Sequence, residues 1–164
     1  MNFPIALNNV ESDADRPAAD KGYVLMVVRA IDSISKANNQ MLVLELDVAE
    51  GPCKGYFSNN LLRHYIPYGD EKGMSRLKKT LSVFAEDNPG IITELDMSGI
   101  SFDQNRLVGL KTGGIIRENE KGYLEISYLT PIRKIASYKP KAKNSDGSLG
   151  SPVDGKTKTD NCPF

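Results

Sequence analysis

The stretch Gly22–Phe57, GYVLMVVRAIDSISKANNQMLVLELDVAEGPCKGYF, decides how the rest of the chain is read. It holds two apolar runs of strand character, Tyr23–Ile31 and Met41–Val48, separated by the polar tip Asp32–Gln40. Val, Ile and Leu crowd both runs, and Asn, Ser and Gly bound them, which is the pattern of an antiparallel hairpin. In the second run Leu42, Leu44, Leu46 and Val48 form an inward row, while Met41, Val43, Glu45 and Asp47 face outward. Glu45 is then placed to pair with Arg29 across the outer face. After the turn Glu50-Gly51-Pro52, the piece Gly55-Tyr56-Phe57 reads as a third short strand.

Downstream the period changes. Ser58-Asn59-Asn60 is suited to cap a short helical or irregular piece through Tyr65, ended by Pro67. Gly69-Asp70 precedes a stronger helix in which Met74, Leu77, Leu81 and Phe84 recur at helical spacing, with Arg76, Lys78 and Lys79 on the solvent side. Asn88-Pro89-Gly90 stops it, and Ile91–Met97 suggests a second short helix. A strand pair follows, Leu107–Glu118 and Gly122–Ile132, with Gly109, Gly113 and Gly114 marking a bend or bulge in its first member. Residues 1–21 read as an N-terminal arm with Phe3, Ile5 and Leu7 laid against the domain, and 22–137 as the folded unit. Residues 138–164 are too poor in apolar side chains to offset the entropy of ordering, so a flexible tail is expected there. Three strands, a helix and two strands is the order of an all-β five-stranded Greek-key barrel with a helix, the OB-fold; a small open sheet capped by a helix has the same order.

The chain has 164 residues with 40% apolar side chains, enough for one domain with a true core. Its 21 basic and 21 acidic residues cancel, which removes any global argument for a polyanionic partner. Cys53 and Cys162 form neither a zinc pattern nor a disulfide framework, so a reducing compartment is expected. With no signal-like N-terminus and no apolar run of about 20 residues, the expectation is a cytoplasmic protein without a membrane partner. The single histidine, His64, lacks a nucleophile at a telling spacing, and the glycines fit no phosphate-binding fingerprint. No catalytic residue, metal ligand or cofactor is assigned.

Binding is more promising. A single-stranded nucleic acid is held by cations for its phosphates and aromatics for its bases. An OB-fold offers that groove across strands two and three, between the loops joining strands one to two and four to five. The residues so placed are Lys36 and Asn38 in the first loop, Lys54 and Tyr56 on the expected third strand, and Lys121 in the last loop. Arg29, Arg63, Lys111, Arg117 and Tyr123 are their expected neighbours. Tyr56 and Phe57 are adjacent on a strand and face opposite sides, so only one is a stacking platform, and Tyr56 is the choice.

Ser35-Lys36-x-Asn38-x-Gln40-Met41, Leu44–Gly51 and Lys54-Gly55-Tyr56-Phe57 resemble a group of small phage and prophage proteins, as do Leu107–Lys111 and Gly114–Glu118. The resemblance spans residues from about 22 to 135. It implies an OB-like barrel that binds single-stranded DNA beside replication and recombination functions. The ending Asp160-Asn161-Cys162-Pro163-Phe164 is similar to the Pro-Phe tip of bacterial single-stranded DNA-binding proteins, although their run of aspartates is reduced here to Asp160. That likeness implies recruitment of replication or recombination proteins through Asp160, Pro163 and Phe164, by capture of an apolar end and its carboxylate. A homo-oligomer would add avidity to a modest groove. The rival from another class is a protein-interaction or assembly module that binds no nucleic acid, consistent with the zero net charge.

Overall fold

The computed structural model describes residues 1, 2, 4–6 and 13–140. Strand β1 spans Lys21–Ile34, β2 Gln40–Val48, β3 Leu62–Pro67, β4 Lys111–Glu118 and β5 Leu124–Thr130. Helix α1 is Glu71–Asp87, α2 Glu94–Ser98 and α3 Ile132–Ile135, with a 3-10 turn at Gln104–Leu107. The sheet order is β3-β2-β1-β4-β5, with every ladder antiparallel. The outer strands β3 and β5 lie against each other, so the sheet curls into a nearly closed barrel. Five antiparallel strands with a helix between the third and fourth are compatible with the OB-fold, as the element order predicts.

β1 makes this curl possible. Its first part pairs with β4, from Lys21 opposite Ile116 to Met26 opposite Lys111. Its later part pairs with β2, and the register shifts between Val27 and Arg29. Such an irregularity bends a strand and lets it serve two ladders. The inward row is sound: Leu42, Leu44, Leu46 and Val48 join Leu25, Val27, Leu62, Ile66, Leu107, Ile116 and Ile126 in one core. Phe84 and Leu81 of α1 close it from below. The carboxylate of Asp70 accepts the Gly73 amide at 2.6 Å, capping α1. Asn88 ends the helix, its amide donating to Phe84 O at 2.9 Å and Lys111 O at 2.8 Å.

Several expectations are corrected. Gly55–Phe57 is not a strand but part of a run of turns over 51–60. Gly51 and Gly55 have positive φ, and buried Asp47 accepts the amides of Val48 and Phe57 at 2.8 and 2.9 Å. That folds the segment back over β2 and buries the lower end of the row expected to face water. The third strand is instead Leu62–Pro67, where a capped helical or irregular piece was expected. Leu62 and Ile66 point into the core while Arg63, Tyr65 and Pro67 are exposed, a period of two that overrides the Ser-Asn-Asn cap signal. In the N-terminal arm Ile5 is exposed, and Phe3 and Leu7 lie outside the described residues. The arm is held instead by buried Pro17, by Arg16 donating to Gly122 O at 3.2 Å, and by Asp15 N donating to Pro52 O at 2.9 Å.

The later strand pair is shorter than its apolar pattern. Leu107 belongs to the 3-10 turn, and Tyr123 sits in the hairpin turn rather than on β5. The bulge falls between Ile115 and Ile116, not at the glycines. Gly113 serves contact instead: a Cβ there would lie 2.6 Å from Thr130 O and 2.7 Å from Ile135 Cγ2.

Candidate nucleic-acid interface

The outer face of β1, β2 and β3 carries three cross-strand rows. The register aligns Arg29 with Glu45 and Arg63, Ile31 with Val43 and Tyr65, and Ser33 with Met41 and Pro67. The first row is a cation–carboxylate–cation triad. Arg29 Nε donates to Glu45 Oε1 at 2.6 Å and Arg63 Nε to Glu45 Oε2 at 2.8 Å. The glutamate side chain is only 4% exposed, whereas the arginines are 64% and 59% exposed. Each guanidinium therefore spends one edge on the carboxylate and turns the remainder to water. Hydrogen bonds from Arg63, then from Arg29, hold the Glu45 carboxyl below its ordinary pKa. The expected Arg29–Glu45 pair is present, and Arg63 completes it.

The second row was only half legible. Tyr65 is 53% exposed and stands beside Arg63. It was missed because Ser58–Tyr65 reads as a capped helical or irregular piece; the alternation Leu62, His64, Ile66 against Arg63, Tyr65, Pro67 was the signal. A ring beside the Arg63 guanidinium, with Arg29 in the adjacent row and Val43 and Ile31 in its own, combines the cation and aromatic that single-stranded nucleic acids use.

The other predicted residues are dispersed. Lys36 and Asn38 lie on the β1–β2 turn, where Asn38 takes φ 63° and Ser35 N donates to Asn39 O at 2.8 Å. That turn extends the same face beyond Ser33 and Met41. Lys54 and Tyr56 lie in the 51–60 turns, which follow the opposite end of β2. Tyr56 is exposed and Phe57 is buried, the two rings edge to face at 5.0 Å. Lys111 is tied to Glu50 at 3.2 Å at the start of β4. Arg117 pairs with Glu125 at 2.5 Å, and Lys121 and exposed Tyr123 lie on the adjoining turn. The register sets this turn beside Lys21, at the end of β1 away from Lys36. Arg29 and Arg63 are thus brought together, Lys36 and Asn38 lie along their face, and Arg117, Lys121 and Tyr123 form a separate group. Asp160, Pro163 and Phe164 lie outside the described residues.

Among the described residues no cluster of His, Cys, Asp and Glu is arranged to hold a metal, and no helix is long and apolar enough to cross a membrane. The solitary His64 sits on the inner side of β3 opposite Leu44, where burial lowers its pKa. A cleft of about 710 Å³ lies elsewhere, between α1 and residues 96–104, lined by Met74, Leu77, Met97 and Phe102. No family model matches the chain, and no curated protein matches it. The fold therefore defines the class, an OB-like barrel.

Proposed function

We propose that this chain is a non-enzymatic, sequence-tolerant single-stranded DNA-binding protein serving phage or mobile-element replication or recombination. The observation that carries the reading is the open β1–β2–β3 face, with Arg29, Arg63 and Tyr65 in adjacent rows. Guanidiniums held at one edge by Glu45 are pre-oriented, so little side-chain entropy remains to be lost when they meet a phosphate. Tyr65 supplies a stacking surface worth about 1–3 kcal/mol per base, and stacking accepts every base. The phage context rests on the resemblance of the β1–β2 hairpin motifs, and recruitment of partner enzymes through Asp160, Pro163 and Phe164 belongs to the same reading.

One observation favours the rival. Glu45 already neutralises half of the charge that Arg29 and Arg63 provide, leaving the triad a net single positive charge. A protein-binding face would suit such a balance. Fluorescence anisotropy with labelled oligo-dT across a salt series separates the two readings. The expected result is binding that weakens steeply with salt, through counterion release, and whose slope flattens in Arg29→Ala/Arg63→Ala. Absence of binding at low salt would leave the interaction module.

A further inference from the structure

On the side away from β2 the later part of β1 is met by no strand among the described residues, although the 3-10 turn Gln104–Leu107 packs against β1. Val27 still bonds to the segment leading into β4: its amide donates to Leu110 O at 3.0 Å and its carbonyl accepts Gly109 N at 2.8 Å. Beyond the register shift, Arg29, Ile31 and Ser33 stand opposite Glu45, Val43 and Met41, and Ser35 N closes the hairpin on Asn39 O. Alternation along the strand then turns the amides and carbonyls of Ala30, Asp32 and Ile34 away from β2. Among the described residues no strand pairs with them. Edges of this length are ordinarily blunted by lysine, proline or a bulge. Here the bulge stops at Arg29, and between Ala30 and Ile34 the only charge is Asp32, which accepts the Tyr68 hydroxyl at 2.5 Å.

The edge is also apolar. Val28 and Ile31 are each 37% exposed, and Ile34 is 65% exposed. We infer that this edge pairs antiparallel with the same edge of a second copy, about a two-fold axis through Ile31. In that register Ile31 meets Ile31, Ile34 meets Val28, Ala30 meets Asp32, and Arg29 meets Ser33. Every charge faces a neutral residue and the three exposed apolar side chains face one another. Centring the axis on Asp32 would oppose two carboxylates, which is unfavourable. Centring it on Ala30 would set Asp32 against Val28 and carry Ile34 to Met26, where β1 is already paired with β4.

A two-fold axis normal to the sheet keeps both outer faces on one side. The Arg29–Glu45–Arg63 and Tyr65 rows of the two copies then form one continuous surface. That consequence rests on the proposed DNA binding; the pairing itself does not.

The test uses the full chain with Cys162→Ser, which leaves buried Cys53 as the only native thiol. Light scattering across a wide dilution series is expected to give twice the chain mass, falling to one chain on dilution. Ile31→Lys sets two ammonium groups across the axis and is expected to weaken association by at least about tenfold, since like charges then lie opposite. Ile31→Cys is expected to form an intermolecular disulfide, with oxidised glutathione taking the two electrons, because Cα atoms at such a pair stand only about 4.5 Å apart. Ser33→Cys, which faces Arg29 of the other copy, is expected to form none. A single-chain mass at every concentration would overturn the proposal. So would a dimer unaffected by Ile31→Lys, or cross-linking at Ser33 with none at Ile31.

Discussion

The sheet of this barrel has two outer faces built on opposite principles. Over the first part of β1 and β4 the face is closed. Gly22 and Gly113 have no side chain to hold a neighbour off, and Ile135 of α3 sits where their Cβ atoms would be, 2.6 Å and 2.7 Å away. Asp87 fixes that lid by accepting the Ile132 amide at 3.1 Å. Over the later part of β1, β2 and β3 the same sheet carries long side chains instead, and among the described residues no element covers Arg29, Arg63 or Tyr65. One strand thus supplies a glycine-lined seat for packing and then, after a single shift, a polar platform. Side-chain size divides the two faces: where the backbone is bare the chain covers itself, and where it is clothed the side chains stay in contact with water.

The contrast is easiest to break on the closed side. Gly113→Val forces a branched side chain against Thr130 O and Ile135, and is expected to cost about 3 kcal/mol, the upper end of overpacking. Urea unfolding would measure it, and oligo-dT affinity of the folded fraction should not change. On the open side the pattern reverses. Tyr65→Ala is expected to lower oligo-dT affinity by about 2 kcal/mol while leaving the unfolding midpoint nearly unmoved, since the ring is half in water. Glu45→Gln should cost about 1.5 kcal/mol of stability, the lower end for hydrogen bonds to a charged group, yet tighten oligo-dT binding at low salt. Glu45 also gives a pH signature. Its folded pKa lies below the unfolded value, so its contribution is complete above the ordinary glutamate range and is lost as pH falls through the folded value. Acid titration followed by circular dichroism should show a step that Glu45→Gln lacks. A tyrosine whose removal left DNA affinity intact would erase the functional half of the comparison.

Much of this was legible in the sequence because it was local. The β1–β2 hairpin, its inward leucines, the Arg29–Glu45 pair and helix α1 follow from period and neighbouring turns. What failed was decided by distant partners. Gly55-Tyr56-Phe57 is as strand-like as Leu62–Pro67 in composition, and the buried carboxylate of Asp47, which bonds to the Phe57 amide, joins the positive φ of Gly51 and Gly55 in making it a turn. Tyr65 was lost with the strand that carries it. Arg117 reads like Arg63 in sequence, but each guanidinium meets a different setting: Arg63 shares its glutamate with Arg29, whereas Arg117 shares Glu125 with the side-chain amide of Asn119, 3.2 Å away.

The double membership of β1 also orders the folding of the chain. Its later part meets β2 across the five-residue turn Ser35–Asn39, a closure that requires little loop entropy. Its first part must wait for β4, where Met26 meets Lys111 only after β2, β3 and α1 have intervened. Local contacts form quickly and distant pairings slowly, so the hairpin is the early event and the seating of β4 on β1 is the late one. Until then β1 is unpaired on its β4 side along its full length, and the nascent barrel exposes to other chains the same edge that the finished barrel keeps only from Ala30 to Ile34.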